Sequence, residues 1–132
     1  MQSIGNDFES LLQTLLKFFR YEQFKPHQQE MCQSVLGGSD VFCSMATGSG
    51  KSMAFQLPAI CLRDRHGILA TTVVICPLLS LIEDQVAALR ARGVNAIAIG
   101  GNSSMEVERL AMEGEYVIVL SCLVIGLIDV DV

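Results

Sequence analysis

Eight consecutive residues of this 132-residue chain are of types that could grip a phosphate: Met45, Ala46, Thr47, Gly48, Ser49, Gly50, Lys51 and Ser52. Glycines let a backbone curl tightly enough for several N–H groups to point at one cluster of phosphate oxygens. A helix opening near Lys51 would add the positive end of its dipole. The Lys51 ammonium would reach the β- and γ-phosphates, and the Ser52 hydroxyl would be offered to Mg2+. The ligand that this chemistry predicts is ATP with Mg2+. The general pattern is G-x-x-x-x-G-K-[ST], and Met45 stands at its first glycine, so the strict form is not met although Gly50, Lys51 and Ser52 are intact. The other reading of these residues is a glycine-rich surface turn before a helix.

A phosphate loop has to be held between a strand and a helix. Asp40–Ser44, with Val41, Phe42 and Cys43 at its centre, is predicted as the strand, and a helix is predicted from Lys51 to about Leu62, kinked by Pro58. Upstream, Asn6 with Glu9 reads as a capping pair, followed by Phe8, Leu11, Leu12, Leu15 and Phe19 at helical spacing. Pro26 suits the first turn of a second helix that buries Met31, Val35 and Cys32 and stops at Gly37-Gly38. Downstream, the β-branched run Thr71–Cys76 predicts a strand buried on both faces and ended by Pro77. Ser80 with Glu83 reads as a second capping pair, opening a helix with Ile82, Val86 and Leu89 on one face and Gly93 at its end. Asn95–Ile99 is the next strand, Ser103 with Glu106 starts a short helix, and Val117–Leu120 is a further strand. Strands alternating with helices imply an α/β fold, a parallel sheet flanked by helices.

Composition narrows the class. Apolar residues make up 51% and charged residues 17%, which suits a folded chain, and the length suits a single domain. The net charge of −5 argues against strong nucleic-acid binding by these residues alone. The five cysteines form no C-x-x-C pair, so buried thiols in a reducing compartment are expected. The acidic, polar start is unlike a signal or transit peptide, and the longest apolar stretch, Val117–Ile128, is too short to span a bilayer. An intracellular protein with no membrane partner is the expectation.

Three segments together resemble the RecQ family of DNA helicases. Phe19-Arg20-Tyr21-Glu22-Gln23-Phe24-Lys25-Pro26-His27-Gln28 resembles its adenine-recognition motif, FGYxxFRxxQ. The phosphate loop continues into Gln56, Leu57, Pro58 and Ala59, similar to the family's QxPA tail; methionine at the first position is usual in that family, and the Met45-Ala46-Thr47-Gly48 form is most like its Werner subgroup. Cys76-Pro77-Leu78-Leu79-Ser80-Leu81-Ile82-Glu83-Asp84-Gln85-Val86 is similar to SPLxSLxxDQV. The resemblance covers roughly residues 11 to 120. It implies a P-loop NTPase (RecA-like) partial domain, with the adenine-recognition segment in residues 1–38, the ATP-binding portion in residues 39–120 and an atypical tail in residues 121–132.

By the same resemblance Tyr21 would stack on adenine and Gln28 would read its N6 and N7 edge. Lys25 stands where arginine is usual, keeping the charge without the planar guanidinium, and Arg20 replaces a usual glycine. Thr47, Gly48, Ser49, Gly50, Lys51 and Ser52 would hold the phosphates, with Ser52 on Mg2+ and Lys51 the catalytic cation. Pro77, Leu78 and Ser80 would lie near single-stranded DNA. The full-length relative would unwind DNA 3′ to 5′ with ATP, in the nucleus of a eukaryote or the cytoplasm otherwise. The bland readings stay open: Tyr21 and Phe24 as core aromatics, Gln28 as a solvent-facing helix residue, Ser80 as a helix cap. The D-E-x-H motif that hydrolysis needs is absent, since no Asp-Glu dipeptide occurs in the chain. Leu127-Ile128-Asp129 could imitate the strand that bears its aspartate. A non-catalytic nucleotide- or partner-binding module and a small P-loop kinase are the alternative functions.

Overall fold

The computed structural model describes residues 8–44, 50, 52–100 and 103–121, which fall into two compact units, Met1–Ala70 and Thr71–Val132. In the first unit the expected apolar spacing produces α1 (Phe8–Thr14), which runs into a π-helical turn (Leu15–Phe19). Leu11, Leu15 and Phe19 are buried, as their spacing predicts. The buried Thr14 hydroxyl donates to the Ser10 carbonyl (2.8 Å), a back-bond that goes with distortion of the helical ladder at that point. Asn6, half of the expected capping pair, lies outside the described residues.

Helix α2 (Gln28–Leu36) follows Pro26 and ends at Gly37, with Gly38 at φ +90° beyond it. It buries Gln28, Met31 and Cys32, whereas Val35, expected in the core, is exposed. Met31 and Cys32 share the face of Gln28, and Val35, two turns on from Gln28 near the end of the helix, is 38% exposed. Helix α3 (Met53–His66) packs on α1 and α2 through Met53, Leu57, Ile60 and Cys61 and runs past the expected end at Leu62 to the left-handed Gly67. Pro58 lies inside this helix, buried. Each fully buried leucine here (Leu11, Leu15, Leu57) is worth about 2 kcal/mol. The Cys32 thiol gives a weak bond to the Met53 carbonyl (3.6 Å), and burial, aided by nearby Cys61, pushes it from 9.0 to about 12. It is an inert core thiol, as the cysteine pattern suggests.

The predicted strand at 40–44 is not formed. The segment is irregular and Phe42 is 95% exposed. An apolar run of this length becomes a strand only when neighbours supply ladder bonds on its flanks. Within its own unit no described strand lies beside it to supply them.

In the second unit, β1 (Thr72–Ile75), β2 (Ala96–Ile99) and β3 (Ile118–Ser121) form a parallel sheet in the order β1-β3-β2. Thr72 and Ala96 both register with Ile118, and Ile75 and Ile99 both register with Ser121, so the carboxyl ends of all three strands share one edge. The central strand β3 is buried throughout. Strand β1 is an outer strand, and Val73 and Ile75, expected to be covered, are 57% and 47% exposed. Helix α4 (Leu79–Ala91) packs on β2 and β3 with Ile82, Val86 and Leu89, and covers one face only.

Two expected caps differ. Ser80 is the second residue of α4, whose start at Leu78 has no side-chain cap. The short helix α5 (Met105–Met112) is capped by Ser104, which accepts the Val107 N–H (3.2 Å). The Ser103 hydroxyl is taken instead by the Gly100 N–H (2.8 Å). The parallel sheet flanked by helices is as expected.

Candidate functional site

Gln28 is the organising residue of the site. Helical spacing puts it on the core face of α2 with Met31 and Cys32, and it is only 3% exposed although polar. A buried amide has to be satisfied. Its Oε1 accepts the Lys25 N–H at 2.7 Å, and its Nε2 donates to the Gly50 carbonyl at 3.0 Å. A backbone donor on one side and a backbone acceptor on the other fix which end of the amide is oxygen. A carboxamide has two N–H groups and two lone pairs. Among the described residues one of each is used, which leaves a second donor and a second acceptor on the amide. That pair is the complement of the N7 and N6 edge of adenine. The reading of Gln28 as a solvent-facing residue is excluded by its burial.

Gly50 completes the arrangement. Its φ of +80° lies where L side chains are strained, and a Cβ there would run into the Gln28 amide nitrogen. The Gly50 carbonyl also accepts the Met53 N–H (3.2 Å) from the first turn of α3. Ser52 precedes that helix, and its hydroxyl makes no capping bond. No group of three His, Cys, Asp or Glu side chains gathers as a metal site among the described residues. Met45, Thr47, Gly48, Ser49 and Lys51 lie outside the described residues.

The aromatic residues separate. Phe24 meets Phe8, ring centroids 6.2 Å apart, as a packing aromatic would. Tyr21 is 48% exposed, so it is no core aromatic. It follows Arg20, which is held at φ +61° with its N–H on the Leu16 carbonyl (3.1 Å). The glycine that Arg20 replaces would take that conformation without strain, and His27 at φ +70° is strained in the same way. Arg20→Gly is accordingly expected to raise stability by about 1 kcal/mol, read as the shift in a urea melt. An unchanged or lower midpoint would show that Arg20 makes a contact worth more than the strain.

A hollow of about 450 Å³ opens beside Phe24, Lys25, Pro26 and His27. Its α2 residues, Gln29, Glu30 and Gln33, lie on the flank opposite Gln28, so a base read by Gln28 would not sit in it. In the other unit Pro77, Leu78 and Ser80 are all exposed. They lie at the carboxyl end of β1, the edge at which ligands bind in open parallel sheets, and the first N–H groups of α4 there have no side-chain cap. No helix among the described residues is long and apolar enough to cross a membrane. Sequence reasoning listed Gln28 and Gly50 separately and missed the bond between them, which no spacing rule connects across 22 positions.

Residues 25–125 match the family described as DEAD/DEAH box helicase. The chain is 38% identical over 96 residues to the ATP-dependent helicase wrn-1 of Caenorhabditis elegans, covering 73% of this chain and 8% of that protein. It is also 38% identical over 98 residues to the ATP-dependent DNA helicase RecQ of Haemophilus influenzae, covering 74% and 15%. It therefore spans less than a sixth of the length of either relative. Among solved structures, the DUF1998 helicase MrfA bound to DNA superposes with a TM-score of 0.67 at 19% identity, over 86% of this chain and 16% of that one. That likeness bears on the fold, a partial RecA-like α/β domain. The RecQ-type relatives are those the three segments pointed to.

Proposed function

Because this chain belongs to the DEAD/DEAH box helicase family, we propose that it is the nucleotide-binding portion of a RecQ-type motor that uses ATP to move 3′ to 5′ along single-stranded DNA. The observation that carries the reading is the Gln28 amide held between the Lys25 N–H and the Gly50 carbonyl, with one donor and one acceptor left for a base. Tyr21 stacks on that base. Thr47, Gly48, Ser49 and Gly50 cradle the phosphates, Lys51 neutralises them and Ser52 reaches Mg2+. Pro77, Leu78 and Ser80 take the single strand, using the uncapped start of α4 for its backbone phosphates. Such a motor works where the DNA is, in the nucleus of a eukaryote or the cytoplasm of a bacterium.

These 132 residues supply ATP binding rather than turnover, since they hold no Asp-Glu pair to position Mg2+ and the attacking water. A titration with ATP and Mg2+ tests the assignment. The unaltered chain is expected to bind, and Lys51→Ala to bind at least tenfold more weakly, from loss of a charge-assisted bond. Equal affinity for the two chains would defeat it.

A further inference from the structure

We propose that residues 127–132 add an antiparallel strand to the sheet of the second unit, on the outer edge of β1. The inference does not depend on the nucleotide reading. Hydrogen bonding defines the edge. The Thr72 N–H donates to the Val117 carbonyl (2.8 Å) and the Cys76 N–H to the Ser121 carbonyl (3.0 Å). Alternation along a strand therefore turns the N–H groups of residues 72, 74 and 76 toward β3, and those of Val73 and Ile75 away from it. On that side no described strand of the unit lies. The side chains tell the same story. Register sets Val73 beside Val119 and Ile97, and Ile75 beside Ser121 and Ile99, all on one face. Val119 and Ser121 are buried, whereas Val73 and Ile75 are about half exposed, so cover stops at β1.

The chain that follows β3 supplies the occupant. Residues 122–132 lie outside the described residues, and their sequence is CLVIGLIDVDV. Ile128, Val130 and Val132 alternate with Asp129 and Asp131, the pattern of a strand with one covered and one wet face. Strand β3 finishes at Ser121, in register with Ile75, so this segment sets out from the same end of the sheet at which β1 finishes. The open position is two strand spacings away, about 10 Å. Residues 122–126, extended, reach about 16 Å, and Gly126 suits the turn. A parallel strand would need a crossover of about a dozen residues or more, which 122–127 do not provide. The segment therefore runs back from Ile75 toward Thr72. Ile128, Val130 and Val132 then continue the row of Val73 and Ile75. Asp129 and Asp131 take the opposite face, where charge on an edge strand discourages further pairing.

Amide exchange followed by NMR on the whole chain tests the seat. The Val73 and Ile75 amides are expected to exchange about tenfold or more slower in the unaltered chain than in a double variant, Asp129→Pro with Val130→Pro. Two adjacent prolines remove one donor that faces β1 in either register. The Thr72 and Val74 amides, bonded to β3, should be unchanged. A second reading needs no variant: cross-strand Hα–Hα contacts between β1 and residues 127–132 are expected in the unaltered chain. Their absence, free exchange at Val73 and Ile75, or protection that survives both prolines would each overturn the proposal. Protection that disappears on dilution, alongside a dimer in sedimentation, would overturn it in favour of a second copy of the chain at the same edge.

Discussion

Gly50→Ala is expected to lower stability by about 3 kcal/mol and to abolish measurable ATP binding. Two effects add. At φ +80° an alanine pays the left-handed penalty of about 1 kcal/mol. The new methyl also runs into the Gln28 amide nitrogen and crowds its Cδ at 3.3 Å. The amide has to swing away, which breaks its part-buried bonds to Lys25 and Gly50, each worth about 1 kcal/mol. Gly67→Ala supplies the internal control. Its φ is +65°, and a Cβ there meets nothing within 4 Å, so only the left-handed term of about 1 kcal/mol applies. Urea melts of the two variants should differ by about 2 kcal/mol. Equal losses would mean that the crowding at Gly50 relaxes without disturbing the amide, and the linkage between base and phosphate segments would go with it.

Gln28→Leu is expected to remove base selectivity while costing about 2 kcal/mol of stability. Leucine fills the space but gives the Lys25 N–H no acceptor, and the Gly50 carbonyl keeps only the Met53 N–H. A part-buried donor left without a partner accounts for most of the loss. On the ligand side, two hydrogen bonds to the adenine edge disappear, about 2 kcal/mol or roughly thirtyfold in affinity. ATP should then bind no better than GTP. Guanine presents an acceptor where adenine presents a donor, so the unaltered amide matches only the latter. Isothermal titration with both nucleotides reads the result. A preference for ATP that survives in Gln28→Leu would show that the base is read elsewhere. Binding that falls equally for ATP and GTP would assign Gln28 to scaffolding alone.

Much of the fold is local and was legible for that reason. Leu11, Leu15 and Phe19 recur at helical spacing and are buried, and Ile82, Val86 and Leu89 form one face and pack on the sheet. Gly37, Gly67 and Gly93 end helices because each closes its own turn. What failed was of another kind. Val73 and Ile75 are exposed because β1 took an outer place in the sheet, and Asp40–Ser44 is no strand because no described strand of its own unit offers it a ladder. A run of β-branched residues has the same composition at the centre of a sheet as at its rim.

By itself the sequence determined that this chain is an α/β protein of alternating strands and helices, and which residue types could hold a triphosphate, because periodicity and glycine placement act over a few residues. Tertiary structure alone decided the strand order β1-β3-β2, the exposed side of β1 and the partnership of Gln28 with Gly50. Those depend on which hydrogen-bonding groups lie opposite one another after the chain has turned back on itself. A buried amide seeks the nearest unsatisfied donor and acceptor in space, and distance along the chain places no limit on where it finds them.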